Sequence, residues 1–165
     1  MSYDINKLVE NVVKETIGKS GNDSLSRSPK MTLSLARQIV EKVKLKASEI
    51  GVRAVVAIAD AGGNIITVDS MDDAYIASYD VAVNKAFTVV SLKMSTKKLS
   101  ELAAPGGSLY GIQFTNNGRI VIFGGGEPLK VENAVIGGLG VSGGSAEQDT
   151  FLGAYGKTVF EELIK

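Results

Sequence analysis

The chain has 165 residues and a formal net charge of zero, and it contains neither histidine nor cysteine. The length fits one domain whose core can fold without disulfides. The missing residue types exclude disulfides, a cysteine nucleophile and the usual zinc sites, and the balanced charge provides no basic surface for nucleic acid. No apolar run reaches membrane length and no secretory signal is present, so we predict a cytosolic protein without a membrane segment.

The first 17 residues are predicted to form a short amphipathic helix, separate from the main domain. Apolar residues recur three and four positions apart, which places them on one helical face: Ile5, Leu8, Val9, Val12, Val13 and Ile17. Residues 18–30 are polar and rich in glycine and serine, which indicates a flexible linker. So short a helix is marginal alone in water, and it is expected to dock on its own domain, on a copy of itself or in a partner groove.

The main domain, residues 31–165, is predicted to begin with a helix and a β-hairpin. Thr32 can cap the helix, apolar residues follow helical spacing from Leu35 to Ile50, and Gly51 can end it in a left-handed conformation. The apolar run at 52–59 indicates a buried strand. After the turn sequence DAGGN, the strand is expected to return over residues 65–69.

Helices are then predicted at 72–94 and 97–102, followed by further strands and a final helix. In the first of these helices, large residues recur near helical spacing: Ile76, Tyr79, Val83, Phe87, Val90 and Met94. Asn116-Asn117-Gly118 predicts a hairpin between strands at 109–115 and 119–123, and Glu132-Asn133 predicts another between 129–131 and 134–141. Ser145 and Gln148 fit a capping box for the last helix, with Phe151 expected inward. The fold class is therefore α+β, with a five-stranded antiparallel sheet flanked by helices.

The glycine-rich stretch before the last helix has two interpretations. Gly138, Gly140 and Gly143 match the dinucleotide-binding pattern G-x-G-x-x-G. That site needs a second strand with an acidic residue about 20 positions further on, and only a helix fits before the chain stops. Glu147 and Asp149 would also repel a phosphate at the start of this helix. We therefore favour a strand that passes close to neighbouring backbone.

Lys85 lies among small residues in the sequence VNKAFT. One interpretation is a solvated lysine on the surface of a helix. The other is a lysine that reaches Asp60 or an anionic ligand.

Four segments together resemble the GlcG/HbpS family, which includes the C-terminal domain of PduO-type proteins: MTLSLARQIVEKVKLKASEIGV, AIADAGGNIITVDSMDDA, VNKAFTVVSLKMST and GGGEPLKVENAVIGGLGVSGGSAEQD. The resemblance implies a five-stranded antiparallel sheet with helices, homo-oligomers such as tetramers or octamers, and haem binding in several members. It links the chain to cofactor handling and to glycolate or diol metabolism, with no reaction established for most members. The motif positions carried over as candidate cofactor-binding residues are Asp60, Lys85, Thr88, Thr96, Gly125, Pro128, Ser142, Gly143, Glu147 and Asp149.

The chain departs from this family in two respects. Haem-binding PduO-type domains are thought to use a histidine ligand, and a chain without histidine would need tyrosine, methionine or lysine instead. The N-terminal helix and linker resemble the encapsulation peptides that target enzymes to bacterial microcompartments, which implies a shell protein as partner.

Three functions follow from these features. The first is a non-enzymatic, microcompartment-associated protein that binds haem or a corrinoid at an oligomer interface. The second is an oligomeric scaffold or cargo protein without a cofactor. The third is an accessory enzyme in diol or cobalamin metabolism, although the sequence shows no ATP-binding signature and assigns no catalytic residue and no metal site. Acid–base chemistry would then fall to a few side chains: Asp60, Lys85, Glu127, Glu147 and Asp149.

Overall fold

The computed structural model describes residues 29–165, so the predicted helix at 1–17 and most of the linker lie outside the described residues. This part of the chain forms four α-helices and four strands. The helices are α1 (Leu33–Glu49), α2 (Ile76–Leu92), α3 (Thr96–Leu102) and α4 (Ala146–Leu163). The strands are β1 (Val55–Asp60), β2 (Ile65–Ser70), β3 (Gly126–Val131) and β4 (Ala134–Ser142). No helix in residues 29–165 combines the length and apolar character needed to span a membrane.

The strands form one antiparallel sheet in the order β2-β1-β4-β3. In the centre, Ala57 of β1 lies opposite Gly140 of β4. Helices α1 and α4 cover one face, where Ile39 and Phe160 are fully buried in the larger apolar core. Helix α2 covers the other face through small residues such as Ala82. The α+β class is therefore confirmed, with helices on both faces of the sheet.

The predicted strands at 109–115 and 119–123 are both wrong, and so is the five-stranded sheet, since the sheet in the described residues has four strands. Residues 109–123 contain two short 3₁₀ helices, Ile112–Phe114 and Asn116–Gly118, and no strand. The signal Asn-Asn-Gly does mark left-handed backbone, with φ of 51°, 58° and 74°. The flanking segments do not pair with each other, however, because Val121 N donates to Thr88 Oγ1 of α2 at 3.1 Å.

Local end signals predicted both ends of α1 and the start of α4. Other boundaries differ, since α2 begins at Ile76 and not at residue 72, β1 begins at Val55 and not at residue 52, and β3 begins at Gly126 and not at residue 129. Thr32 Oγ1 accepts a hydrogen bond from Leu35 N at 3.2 Å, and Gly51 has a φ of 71° after the end of α1. The capping box at the start of α4 is present, with both Ser145 and Gln148 bonded as predicted. Phe151 does not face inward as expected, because 49% of its surface is exposed on α4.

The large residues at helical spacing do not mark the buried face of α2 near its start. Ile76 is 97% exposed and Tyr79 is 51% exposed, whereas Ala82 and Ala86 are fully buried. The cause lies in β4, because a Cβ atom at Gly140 would clash with the carbonyl oxygen of Ala82. The helix backbone therefore rests directly on the strand, and only small residues fit between them. This geometry supports the packing interpretation of the glycine-rich stretch.

Replacing Gly140 with alanine is expected to lower the free energy of unfolding by about 3 kcal/mol, because the added methyl group forces α2 away from the sheet. The control is Gly106→Ala, where an added Cβ meets nothing within 4 Å and the only cost is the left-handed backbone at φ 82°. That control should cost only about 1 kcal/mol. Urea unfolding followed by circular dichroism compares the two, and equal losses would contradict the close-packing explanation.

Candidate functional site

Lys85 and Asp149 form a buried ion pair that joins α2 to α4. Lys85 is 0% exposed and Asp149 is 3% exposed. The Lys85 Nζ atom donates to Asp149 Oδ2 at 2.8 Å and to the Val141 carbonyl oxygen at 2.7 Å, and it lies 4.9 Å from the centre of the Phe123 ring. Gly144 N donates to the other Asp149 oxygen at 2.9 Å. Burial lowers the pKa of Lys85, while the charge and hydrogen bond of Asp149 oppose this shift. The prediction of a solvated lysine is therefore wrong.

Asp60 is not the partner of Lys85, and that part of the alternative interpretation is also wrong. The Asp60 carboxylate closes the β1–β2 turn by accepting hydrogen bonds from Gly62 N at 2.8 Å and from Asn64 N at 3.0 Å. Burial alone would raise the pKa of Asp60, but the hydrogen bonds of this turn outweigh burial and lower it. Asp60 therefore shapes a hairpin turn.

The corner at residues 124–126 is packed against the ion pair. Gly125 has a φ of 110°, and a Cβ atom there would lie 2.7 Å from Lys85 Nζ. Gly126 N donates to Thr96 Oγ1 at 2.8 Å, which fixes the end of the corner to the start of α3. A larger residue at Gly125 would displace the lysine from its partners. The structure thus brings four of the candidate positions together: Lys85, Thr96, Gly125 and Asp149.

Four further candidate positions hold other parts of the same framework. Thr88 Oγ1 donates to Asn84 O at 2.7 Å, and Ser142 Oγ lies 3.3 Å from Ser78 Oγ. Pro128 lies buried in the edge strand β3, where a residue without a backbone N–H is tolerated. A Cβ atom at Gly143 would clash with the carbonyl oxygen of Arg53. These contacts connect β4, α2 and the residues that follow α1.

A cleft of about 360 Å³ lies between α3 and the start of α4. Two phenyl rings line it, Phe123 at 43% exposure and Phe151 at 49%, and Lys97 and Glu147 supply its charges. Glu147 is thus the candidate position that lines this cleft. The Phe123 ring lines the cleft and also lies against the Lys85 ammonium. The sequence-based prediction missed both rings, because Phe123 was assigned to a strand and Phe151 to the core.

The chemistry of this cleft favours binding over acid–base catalysis. Hydrogen bonds at the start of α4 lower the pKa of Glu147, so it is an ionised carboxylate at neutral pH. Burial raises the pKa of Glu127, and Lys157 partly opposes that shift, but Glu127 does not line the cleft. Within residues 29–165 no group of three acidic side chains is arranged to hold a metal ion. An apolar slot with one cation and one anion suits a flat, partly charged ligand.

Breaking the buried pair is expected to destabilise the fold severely. Lys85→Met and Asp149→Asn should each lower the free energy of unfolding by about 3–5 kcal/mol, because each leaves one buried charge without its partner. The double variant should lose less than the sum by about 2 kcal/mol. The exposed pair between Lys98 and Glu101, whose charged atoms lie 2.9 Å apart, is the control and should show a coupling of about 0.5 kcal/mol or less. Equal coupling energies in urea unfolding would contradict the role of the buried pair.

Curated relatives match most of this chain. A protein from Citrobacter freundii, named as an uncharacterized 15.0 kDa protein in the dhaT-dhaS intergenic region, is 44% identical over 133 residues, covering 81% of this chain and 94% of that protein. The corrinoid adenosyltransferase PduO of the same organism is 40% identical over 128 residues. The match covers 76% of this chain but only 38% of PduO, so it concerns one part of that enzyme.

Solved structures share the fold at substantial identity. Protein ORFY of Klebsiella pneumoniae superposes with a TM-score of 0.78 at 42% identity, over 85% of this chain and 96% of that one. PduOC, solved as a complex with haem, gives a TM-score of 0.76 at 35% identity, over 79% of this chain and 95% of that one. The sequence model of the family described as haem degrading protein HbpS-like matches residues 31–156. The chain therefore belongs to the HbpS-like family.

Proposed function

We propose that this protein is a non-enzymatic, homo-oligomeric binder of haem or a corrinoid, that the cofactor lies in the cleft between α3 and α4 at a subunit interface, and that the protein works inside a bacterial microcompartment. The observation that carries the binding proposal is the pair of exposed phenyl rings, Phe123 and Phe151, beside Lys97. The haem complex of PduOC supports the ligand class, as does the corrinoid chemistry in the name of PduO. Because the chain spans only 38% of PduO, the proposal adopts the ligand class and not that enzyme's reaction.

The residues of the cleft fit part of such a cofactor. The faces of a tetrapyrrole are apolar and suit the two phenyl rings, and the Lys97 ammonium can pair with a peripheral carboxylate. The sequence has no histidine or cysteine, so a protein ligand to the metal would be a lysine, tyrosine, methionine or carboxylate, and Lys97 and Glu147 are the cleft residues of these types. When bound, haem or a corrinoid would supply the metal-centred chemistry, and the cleft residues would bind and orient it.

The volume of the cleft supports a site shared between subunits. About 360 Å³ is at the lower end of the range for small-molecule sites, roughly 300–1,000 Å³, so one subunit would cover only part of a macrocycle. Apolar side chains that suit an interface are exposed elsewhere, with Tyr75 at 74%, Ile76 at 97% and Phe114 at 83%. Exposed groups of large apolar residues mark association surfaces. These features support a homo-oligomer, such as a tetramer or octamer.

Haemin and cobalamin titrations, followed by absorbance, test the binding proposal. Purified full-length protein should shift the Soret band and saturate at one haem per subunit or per subunit pair. Phe151→Ala should weaken the affinity about tenfold, because it removes one apolar wall. Leu45→Ala is the control, since this exposed apolar residue of α1 does not line the cleft, and it should bind normally. An unchanged spectrum with both cofactors would refute the proposal and favour a scaffold without a cofactor.

The microcompartment proposal rests on the apolar spacing of residues 1–17 and on the linker that follows. In an oligomer, several copies of a weakly binding helix would engage a shell surface together, and avidity would raise the overall affinity. Thr32 caps α1 and Met31 is buried against the core, so a chain that starts at residue 29 retains every helix and strand that the structure describes.

Deleting residues 1–28 is expected to leave the domain folded and oligomeric while co-localisation with shells is lost, as measured by fluorescence microscopy of tagged protein. A more specific comparison uses substitution variants that keep all 165 residues. Val9→Glu with Val12→Glu replaces two residues of the predicted apolar stripe and should abolish co-localisation, whereas Lys14→Glu, outside that stripe, should not. Unchanged localisation of the deletion variant would show that residues 1–28 are not the targeting signal.

A further inference from the structure

We propose that Arg119 forms a second binding site, which takes a small oxyanion, either a carboxylate or a phosphate. The site lies against α2, where Asn84 and Phe87 contact the arginine. It shares no lining residue with the cleft between α3 and α4. The inference therefore goes beyond the proposed cofactor site and does not depend on it.

Three residues of α2 fix the guanidinium group. Its central carbon lies 3.7 Å from the centre of the Phe87 ring, and its Nε atom donates to Asn84 Oδ1 at 3.3 Å. Asn84 is 9% exposed, and its Nδ2 atom donates to Asp80 Oδ2 at 3.1 Å, which orients the amide so that its oxygen faces the arginine. Asp80, Asn84 and Phe87 follow one another along one side of the helix. The plane of the guanidinium is thus set by stacking and by one oriented acceptor.

The backbone of Arg119 is anchored to the same helix. Thr88 Oγ1 lies 3.3 Å from the Arg119 carbonyl oxygen and accepts a hydrogen bond from Val121 N at 3.1 Å. The chain reaches this anchor through Asn117 and Gly118, both in the left-handed region. Main chain and side chain are therefore held before any ligand arrives, which reduces the entropy lost on binding.

The outer edge of the guanidinium has hydrogen-bonding capacity left over. Of its five N–H groups, the one on Nε is used. Among residues 29–165, no acceptor or acidic group bonds the two terminal nitrogens. A planar fork of N–H groups matches two oxygens of a carboxylate or phosphate, which is the usual role of a preorganised arginine. The neighbouring acid, Asp80, bonds Asn84 and leaves this edge to the ligand.

A purely structural role for Arg119 predicts a different result. In that case the arginine only holds residues 109–121 against α2. Its removal would lower the free energy of unfolding without affecting the binding of any ligand. Binding of an anion by the wild-type protein, and its dependence on the shape of the side chain, separates the two roles.

The experiment follows the ³¹P NMR line width of inorganic phosphate added to full-length protein at constant ionic strength, with acetate as competitor. Wild-type protein should broaden the line saturably. Arg119→Gln should abolish the effect, and Arg119→Lys, which keeps the charge but loses the fork, should weaken it about tenfold. Asn84→Leu should weaken it several-fold, because the charge remains and only its positioning is lost. Arg37→Gln, at an exposed arginine of α1, is the matched control and should behave as wild type.

The outcomes decide the proposal as follows. Competition by acetate supports a site for either oxyanion, and its absence supports a phosphate site. No saturable broadening, or equal broadening in wild type and Arg119→Lys, would overturn the proposal. Circular dichroism checks that each variant is folded. If Arg119→Gln does not fold, the comparison of wild type with Arg119→Lys still tests the proposal. Haemin titration of the folded variants should match wild type, and joint loss of haemin and phosphate binding would overturn a separate site.

Discussion

The buried ion pair between Lys85 and Asp149 is the interaction on which the arrangement of the other elements depends. Two charges removed from water are tolerated only if each finds close partners, and losing one partner is strongly destabilising. The pair therefore imposes fixed positions on the groups that satisfy it, the Val141 carbonyl, the Gly144 N–H and the Phe123 ring. Because these groups belong to different segments, one pair restrains α2, β4, α4 and the corner before β3 together.

Glycine makes this arrangement possible, and it also explains what the shared sequence motifs do in the fold. Helix α2 lies directly on β4 because Gly140 has no side chain, and the lysine reaches its partners past Gly125 for the same reason. Most of the ten candidate positions contribute to the ion pair or to the close packing around it. That they bind a cofactor stays a prediction. A motif shared within a family can thus describe a packing junction, and the proposed ligand surface, lined by Phe123 and Phe151, lies beside that junction.

Sequence reasoning succeeded where the signal was local and failed where the partner was distant. Capping residues at Thr32 and Ser145 gave the helix starts, because a cap acts within three residues of itself. The Asn-Asn-Gly turn was recognised, but nothing local showed that the residues beyond it bond to Thr88 instead of to each other. The burial of Lys85 had no local signal either, since Asp149 lies 64 residues away along the chain.

The segment that leads into β3 connects the buried pair to both proposed ligand surfaces. It is fastened at one end by the bond from Val121 N to Thr88, and at the other by the bond from Gly126 N to Thr96. Between these anchors Phe123 is held over the Lys85 ammonium with one side toward the cleft, and just before them Arg119 stacks on Phe87. The two buried threonines therefore position Phe123 and Arg119 through the main chain, Thr88 at Val121 N and the Arg119 carbonyl and Thr96 at Gly126 N. A change at either threonine should then disturb a ligand surface more than its own small size suggests, because the whole segment would lose one of its two attachments to the helices.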